Sequence, residues 1–414
     1  MRTPGIGSER LAALDVLRGC ALFGILLVNA QLMAGPYTAF GGAPDASGAD
    51  RVAAWLVSAL VTAKFYPLFS FLFGYSLVLQ ERSARRSGHA FAPRHLRRCV
   101  CLFALGAVHA VLLYPGDVLM TYAVLGLVLY GLRGLRARTA LRLAVGLVVA
   151  LCALLLTEGL LTVALTEPVT AARYVPQVAD VVAAHRGGVL AVLGAHLRDL
   201  RPALGADLLY APQMLAAFLA GLVAARTRLA GRRGRDRVWL RRTALRWLPL
   251  GLAGAVVSAC CTAGPLDDRW FLVGQACAVL TGPALTVSYA CGLLLLFGGR
   301  GPAATALAAT GRLGLTNYLA QSLVLALVFT GYGLGLYDRV GTAPLLLGCA
   351  ALYAVQLALS TRLVRRFRYG PAEWLLRSVT SGRRPVATAR RASPASARAV
   401  SPASRATAGS RPVP

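Results

Sequence analysis

Leu143–Leu165 reads LAVGLVVALCALLLTEGLLTVAL, 23 residues in which Glu158 is the single charge. Crossing the hydrocarbon core of a bilayer, about 30 Å, takes roughly 20 apolar residues at the rise of an α-helix. The stretch therefore predicts a membrane-spanning helix. A barrel strand would alternate apolar and polar residues over about 10 positions, and this stretch does not. Toward the N-terminus, four more of the same kind fall near Leu14–Met33, Trp55–Leu79, Cys99–Tyr114 and Val118–Leu132. Toward the C-terminus five follow, near Ala206–Ala225, Trp247–Thr262, Phe271–Phe297, Leu313–Tyr332 and Pro344–Leu363. The expected fold is all-α, a polytopic transmembrane helix bundle of about ten spans.

Composition points the same way. With 57% of its 414 residues apolar and 14% charged, the chain has too little charge to cover the surface of a soluble domain. The net charge of +28 would suit a nucleic-acid binder, but the basic residues, all Arg except Lys64, sit in short runs between the spans. Nucleic acid is therefore excluded as a primary partner. If the N-terminus is cytoplasmic, 23 arginines fall on the inner side and 7 on the outer, and 12 more follow from Arg362 onward. This bias predicts both termini in the cytoplasm, a multi-pass protein of the plasma membrane, and membrane lipids as partners. Asp15 and Arg18 interrupt the first apolar run, which has no small-x-small cleavage site, so an uncleaved span is expected there. The nine cysteines all fall in apolar runs without a C-x-x-C, which makes them small packing residues with no metal or redox role.

Residues 1–380 are expected to form the transmembrane domain and 381–414, composed of Arg, Ala, Ser and Pro with few others, a disordered basic tail. The outer connection 166–205, which carries His185 and His196, predicts one or two surface helices over the bundle. Arg362–Arg377, with Trp374, suits a helix on the inner membrane surface. No repeat links the two halves, which disfavours a transporter built from inverted halves.

Polar groups inside a span are costly, so the few present are candidates for function. Asn29, Lys64, His109, Asp117 and Tyr122 fall in the outer half of the first four spans, where they could converge on one cavity. Lys64 stands about ten residues into the second span. It would bind an anionic substrate group or a thioester carbonyl, or else pair with Asp117 or with carbonyls that Pro67 leaves without donors. His109 would serve as general base with Asp117 setting its tautomer. The competing roles are a buried hydrogen-bonding histidine and an Asp that caps the fourth span. Asp15 and Arg18 share a helix face and would either anchor a helix start or meet the phosphate of a nucleotide cofactor. Asn317 and Gln321 are substrate-binding candidates with Tyr122, or, like Gln213, interhelical hydrogen-bonding groups. Glu158 has no evident role.

Four blocks carry a family resemblance. They are LDVLRGCALFGILLVN at Leu14–Asn29, KFYPLFSFLFG at Lys64–Gly74, the His109 segment continuing through GDVLMTYAVLGL to Leu127, and the pair GRLGLTNYLAQS at Gly311–Ser322 with GPAEWLLR at Gly370–Arg377. In this order the chain resembles the YeiB-like bacterial membrane proteins, known as domain of unknown function 418, whose C-terminal region would cover about 230–380. The opening D-x-L-R-G is also similar to that of membrane acyltransferases of the heparan-glucosaminide acetyltransferase group. That resemblance implies transfer of an acyl group from a cytoplasmic donor, an acyl-CoA, to a small-molecule or lipid-linked acceptor across the membrane. The group's active-site His follows the first span, whereas no His precedes His89 in this chain. In an acyltransferase reading His109 would replace it, Asp117 would orient it, Lys64 and Asn29 would stabilise the oxyanion, and Arg18 with Asp15 would recruit the donor. A small-solute transporter and a lipid-interacting protein without turnover are the alternatives.

Overall fold

The computed structural model describes residues 6–36, 46–168, 171–234, 236–298 and 301–381, and their side chains except at 6–11 and 171–177. The expected basic tail lies, from 382 onward, outside the described residues. Among the described residues the fold is all-α. The first five predicted spans correspond to α1 (Ile6–Ala34), the pair α2 (Gly48–Leu60) and α3 (Phe65–Arg86), α4 (Phe91–Leu112), α5 (Leu119–Leu132) and α6 (Ala137–Leu165). α7 (Ala171–Arg186) lies in the outer connection, and α8 (Val189–Arg226) and the short α9 (Leu229–Arg233) follow. The remaining helices are α10 (Arg237–Ala263), α11 (Phe271–Phe297), α12 (Pro302–Arg312), α13 (Gly314–Phe329), α14 (Thr342–Arg366) and α15 (Pro371–Ser381). Among the described residues, eight helical segments are long and apolar enough to cross a membrane, a ninth if α12 and α13 count as one bent span, and α5 is a shorter apolar helix.

The backbone opening expected beside Lys64 is present, and three other expectations are corrected. The second span is broken at Val61–Lys64, where Ala63 takes a left-handed φ of 62°. Pro67, with no N–H, fits the first turn of a restarting helix but not the interior of a continuous one. The sixth span is a 38-residue helix that begins at Val189, so the outer connection contains α7 and the first turns of α8. The ninth predicted stretch, Leu313–Tyr332, is α13, and the connection before it holds a further helix, α12, bent 82° from α13. The helix expected at Arg362–Arg377 is divided: Arg365 and Arg366 end α14, and α15 packs on α4 and α13 with Leu376 buried.

The bundle is apolar outside as well as inside. Val145, Leu296 and Leu347 are 62%, 75% and 74% exposed, a waste in water but suited to lipid tails. Because tails are as apolar as leucine, burial adds little to helix pairing there, and close backbone approach and polar bonds take over. Where α1 crosses α12, a methyl at Gly19 would strike the Leu307 carbonyl and one at Gly311 the Asp15 carbonyl. Asn317 and Gln321 of α13 bond α14: Asn317 donates to Ser360 at 3.0 Å, Gln321 donates to Gln356 at 2.8 Å, and Gln356 donates back to the Asn317 carbonyl at 3.1 Å.

Gly311→Val should lower the stability of the detergent-solubilised protein by about 1–3 kcal/mol through overpacking. Gly348→Val, with nothing within 4 Å of an added Cβ, should leave the thermal unfolding midpoint nearly unchanged.

Candidate functional site

The Tyr114–Asp117 turn between α4 and α5 stands between two hollows. On one side is a cavity of about 610 Å³ at one end of the bundle, mostly apolar in its lining but with several polar side chains in its wall, and called the polar cavity below for those. Its walls come from the last turns of α1 (Asn29, Leu32), the α2–α3 break with Phe65 and Tyr66, the turn itself, Tyr122 of α5, and Asp207, Tyr210 and Met214 of α8. Gln275 of α11, Thr330 and Tyr337 complete it. On the other side is an apolar groove of about 400 Å³ between α4, α13 and α15, lined by His109, Val108, Leu112, Leu319, Leu323 and Pro371 among others.

The five polar residues expected in one cavity are thus divided between places. Asn29 and Tyr122 line the polar cavity, while Lys64, His109 and Asp117 do not. Lys64 is 2% exposed, and its ammonium donates to the Ser58 carbonyl at 2.9 Å. The helix break explains this bond. The Thr62 N–H, the ordinary helical partner of that carbonyl, turns to Val57 instead. The Lys64 carbonyl accepts in turn from the Thr286 hydroxyl at 3.0 Å. Lys64 therefore meets a freed carbonyl, not Asp117.

His109 and Asp117 do meet. Nδ1 of His109 is 3.1 Å from Oδ1 of Asp117, with both side chains buried. The ring N–H is not aligned for a full hydrogen bond, and Nε2 has no partner. Asp117 is held from two further directions: Oδ1 accepts from the Tyr318 hydroxyl at 2.9 Å and Oδ2 from the Leu119 N–H at 2.9 Å. The carboxylate thus caps α5 and faces the imidazole at once. Gly106 makes room for it, since a Cβ there would come within 2.5 Å of Oδ2. Chemically the pair can hold a proton on Nδ1 and leave Nε2 as a base.

Asp15 and Arg18 of α1 pair at 2.7 Å, and Arg18 also donates to the Ser76 hydroxyl at 2.5 Å. Asn317 and Gln321 belong to the α13–α14 contact and line neither hollow. Tyr122 exchanges a hydrogen bond of 2.6 Å with Ser70. Glu158 is exposed on α6.

Other residues were not anticipated. Asp207 accepts from Thr121 at 2.6 Å and stands in a wall with Tyr66, Tyr114, Tyr122 and Tyr210. Tyr66 donates to Gln213. A carboxylate beside LLY in an apolar run was the available signal, but it fell at the assumed start of a span. His185 stacks on Tyr337 at 4.4 Å and lies 3.3 Å from Asp199, while His196 contacts the Val111 carbonyl at 3.0 Å. All three of His185, His196 and Asp199 line the cavity, so the outer connection forms part of its wall. Among the described residues, no group of three or more His, Cys, Asp or Glu side chains is placed to hold a metal ion.

An all-helical bundle with this many apolar spans and inward-facing polar groups is a multi-pass membrane protein. The family described as "Protein of unknown function (DUF418)" matches residues 224–383. The chain is 32% identical over 398 residues to the uncharacterised protein YxaH of Bacillus subtilis (strain 168), covering 91% of this chain and 96% of that one. It is 28% identical over 395 residues to an uncharacterised 39.9 kDa protein encoded in the amylase 3' region of Bacillus acidopullulyticus (91% and 95% covered). To the uncharacterised protein YeiB of Escherichia coli (strain K12) it is 29% identical over 395 residues (90% and 96%). The chain belongs to this YeiB-like, DUF418 family.

Asp117→Ala should strand the Tyr318 hydroxyl and the Leu119 N–H in the interior, at about 1–3 kcal/mol for each group. Asp117→Asn keeps an acceptor and should retain most of that stability in thermal unfolding.

Proposed function

We propose that the chain is an acyltransferase-like membrane enzyme in which His109 is the base and Asp117 its positioning residue. The observation that carries this reading is the buried His109–Asp117 contact of 3.1 Å, with Asp117 fixed by two other donors and Nε2 unpartnered. In the reaction Nε2 takes the proton from the acceptor's O–H or N–H as that atom attacks the thioester carbonyl of an acyl-CoA. Collapse of the tetrahedral intermediate breaks the C–S bond, and the imidazolium returns the proton to the leaving thiolate. Arg18, oriented by Asp15 and Ser76, would meet the donor's phosphates. Asn29 and Tyr122 line the cavity across the turn from His109 and take no part in this step. With its ammonium engaged by the Ser58 carbonyl, Lys64 supports the broken helix that forms one wall of that cavity.

Binding and passage of a small solute is the second reading. It is favoured by the cavity itself, which has room for a small molecule, carries polar side chains in its wall and is not lined by His109. In either case the arginine bias supports a plasma-membrane protein with both termini in the cytoplasm.

Purified protein given radiolabelled acyl-CoA and membrane extract should pass on label, and His109→Ala should slow this by about 100-fold or more. Equal transfer by the variant, or none by the wild type, would reject the reading. For the orientation, a fluorescent protein fused after Pro414 should fluoresce and a periplasm-dependent phosphatase fused there should stay inactive.

A further inference from the structure

The cavity wall contrasts with the rest of the molecule. The chain carries 44 basic residues and 16 acidic ones, yet the described residues that line the polar cavity include two carboxylates, Asp199 and Asp207, and neither Lys nor Arg. Asp199 is met by His185 at 3.3 Å. Asp207 is different: its carboxylate accepts from the neutral Thr121 hydroxyl at 2.6 Å, and no Lys or Arg is among the described residues that line the cavity with it. A half-buried carboxylate with no cation beside it leaves its charge to be balanced by whatever enters.

The surrounding groups fit one kind of visitor. Tyr66, Tyr114, Tyr122 and Tyr210 share the wall with Asp207. An aromatic ring attracts an alkylammonium group through its quadrupole, and the attraction strengthens as water is excluded. An anion would face two carboxylates and no counter-charge. A volume of about 610 Å³ admits a small organic molecule.

We propose that this cavity is a binding site for a small organic cation, an amine or quaternary ammonium compound, with Asp207 as its counter-ion and the tyrosines as its cage. The site stands apart from acyl transfer at His109, which lines the other hollow. It also reverses the expectation that Lys64 would draw an anionic group into this part of the protein.

The test uses the full-length protein in lipid nanodiscs and three probes of similar shape: choline, its neutral isostere 3,3-dimethylbutanol, and the anion 3,3-dimethylbutyrate. Equilibrium dialysis with labelled probes should show choline bound at least about ten-fold more tightly than either of the others, a difference of roughly 1.4 kcal/mol. Asp207→Asn should remove that preference, while Asp207→Glu should keep it in part. His109→Ala should bind choline as the wild type does, so a failure of the acyl-transfer reading leaves this result intact. Size-exclusion profiles and thermal unfolding report whether each variant is folded. Preference for the isostere or the anion, no choline binding by wild type, or undiminished choline binding by a folded Asp207→Asn would overturn the proposal.

Discussion

Inside a bilayer a backbone N–H or C=O without a partner has no water to turn to. A straight helix satisfies the requirement by itself, and at two of the breaks among the described helices the freed groups are supplied from elsewhere in the chain. At the α2–α3 break the Ser58 carbonyl receives the Lys64 ammonium and the Lys64 carbonyl receives the Thr286 hydroxyl of α11. At the α12–α13 elbow the freed amides of Leu315 and Thr316 donate to Glu373 of α15, at 2.8 and 3.1 Å. Charged side chains costly in lipid are tolerated here because each replaces a missing backbone partner.

The same constraint explains how the hollows arise. A break in a helix moves backbone and side chains off the helical path, and at Val61–Ala63 it exposes one wall of the polar cavity. The turn at Tyr114–Asp117 is held by Asp117, which caps α5 and also receives Tyr318 from the far side of the bundle. One carboxylate thus fixes the partition between a polar space and an apolar one. Its contact with His109 follows from that structural position, and the proposed chemistry would use a residue already held for architectural reasons.

Much of the architecture was legible in the sequence because lipid imposes a simple rule on composition. Each of the ten apolar stretches corresponds to a helix or a helix pair, and Pro67 foretold an opened backbone near Ala63. The His109–Asp117 contact was legible from a short turn that could not carry the two residues far apart. The elbow at Leu313 was not, because α12 is only 11 residues long and its direction is set by packing on α1. Asp207 was missed because span ends were placed by hydropathy, and a helix of 38 residues continues well past such an end. The fate of Lys64 depended on which carbonyl the break would free, a matter of backbone geometry that residue spacing does not encode.

Glu373 also ties the order of synthesis to the completion of the fold. Its carboxylate accepts both amides at the start of α13 and the Thr316 hydroxyl, although more than fifty residues of chain separate the two. Domains are built from the N-terminal side as the chain emerges, so α13 must enter the bilayer while its first turn is still open. The late helix then works as a keystone: everything from the elbow onward remains provisional until the 11 residues of α15 settle against it.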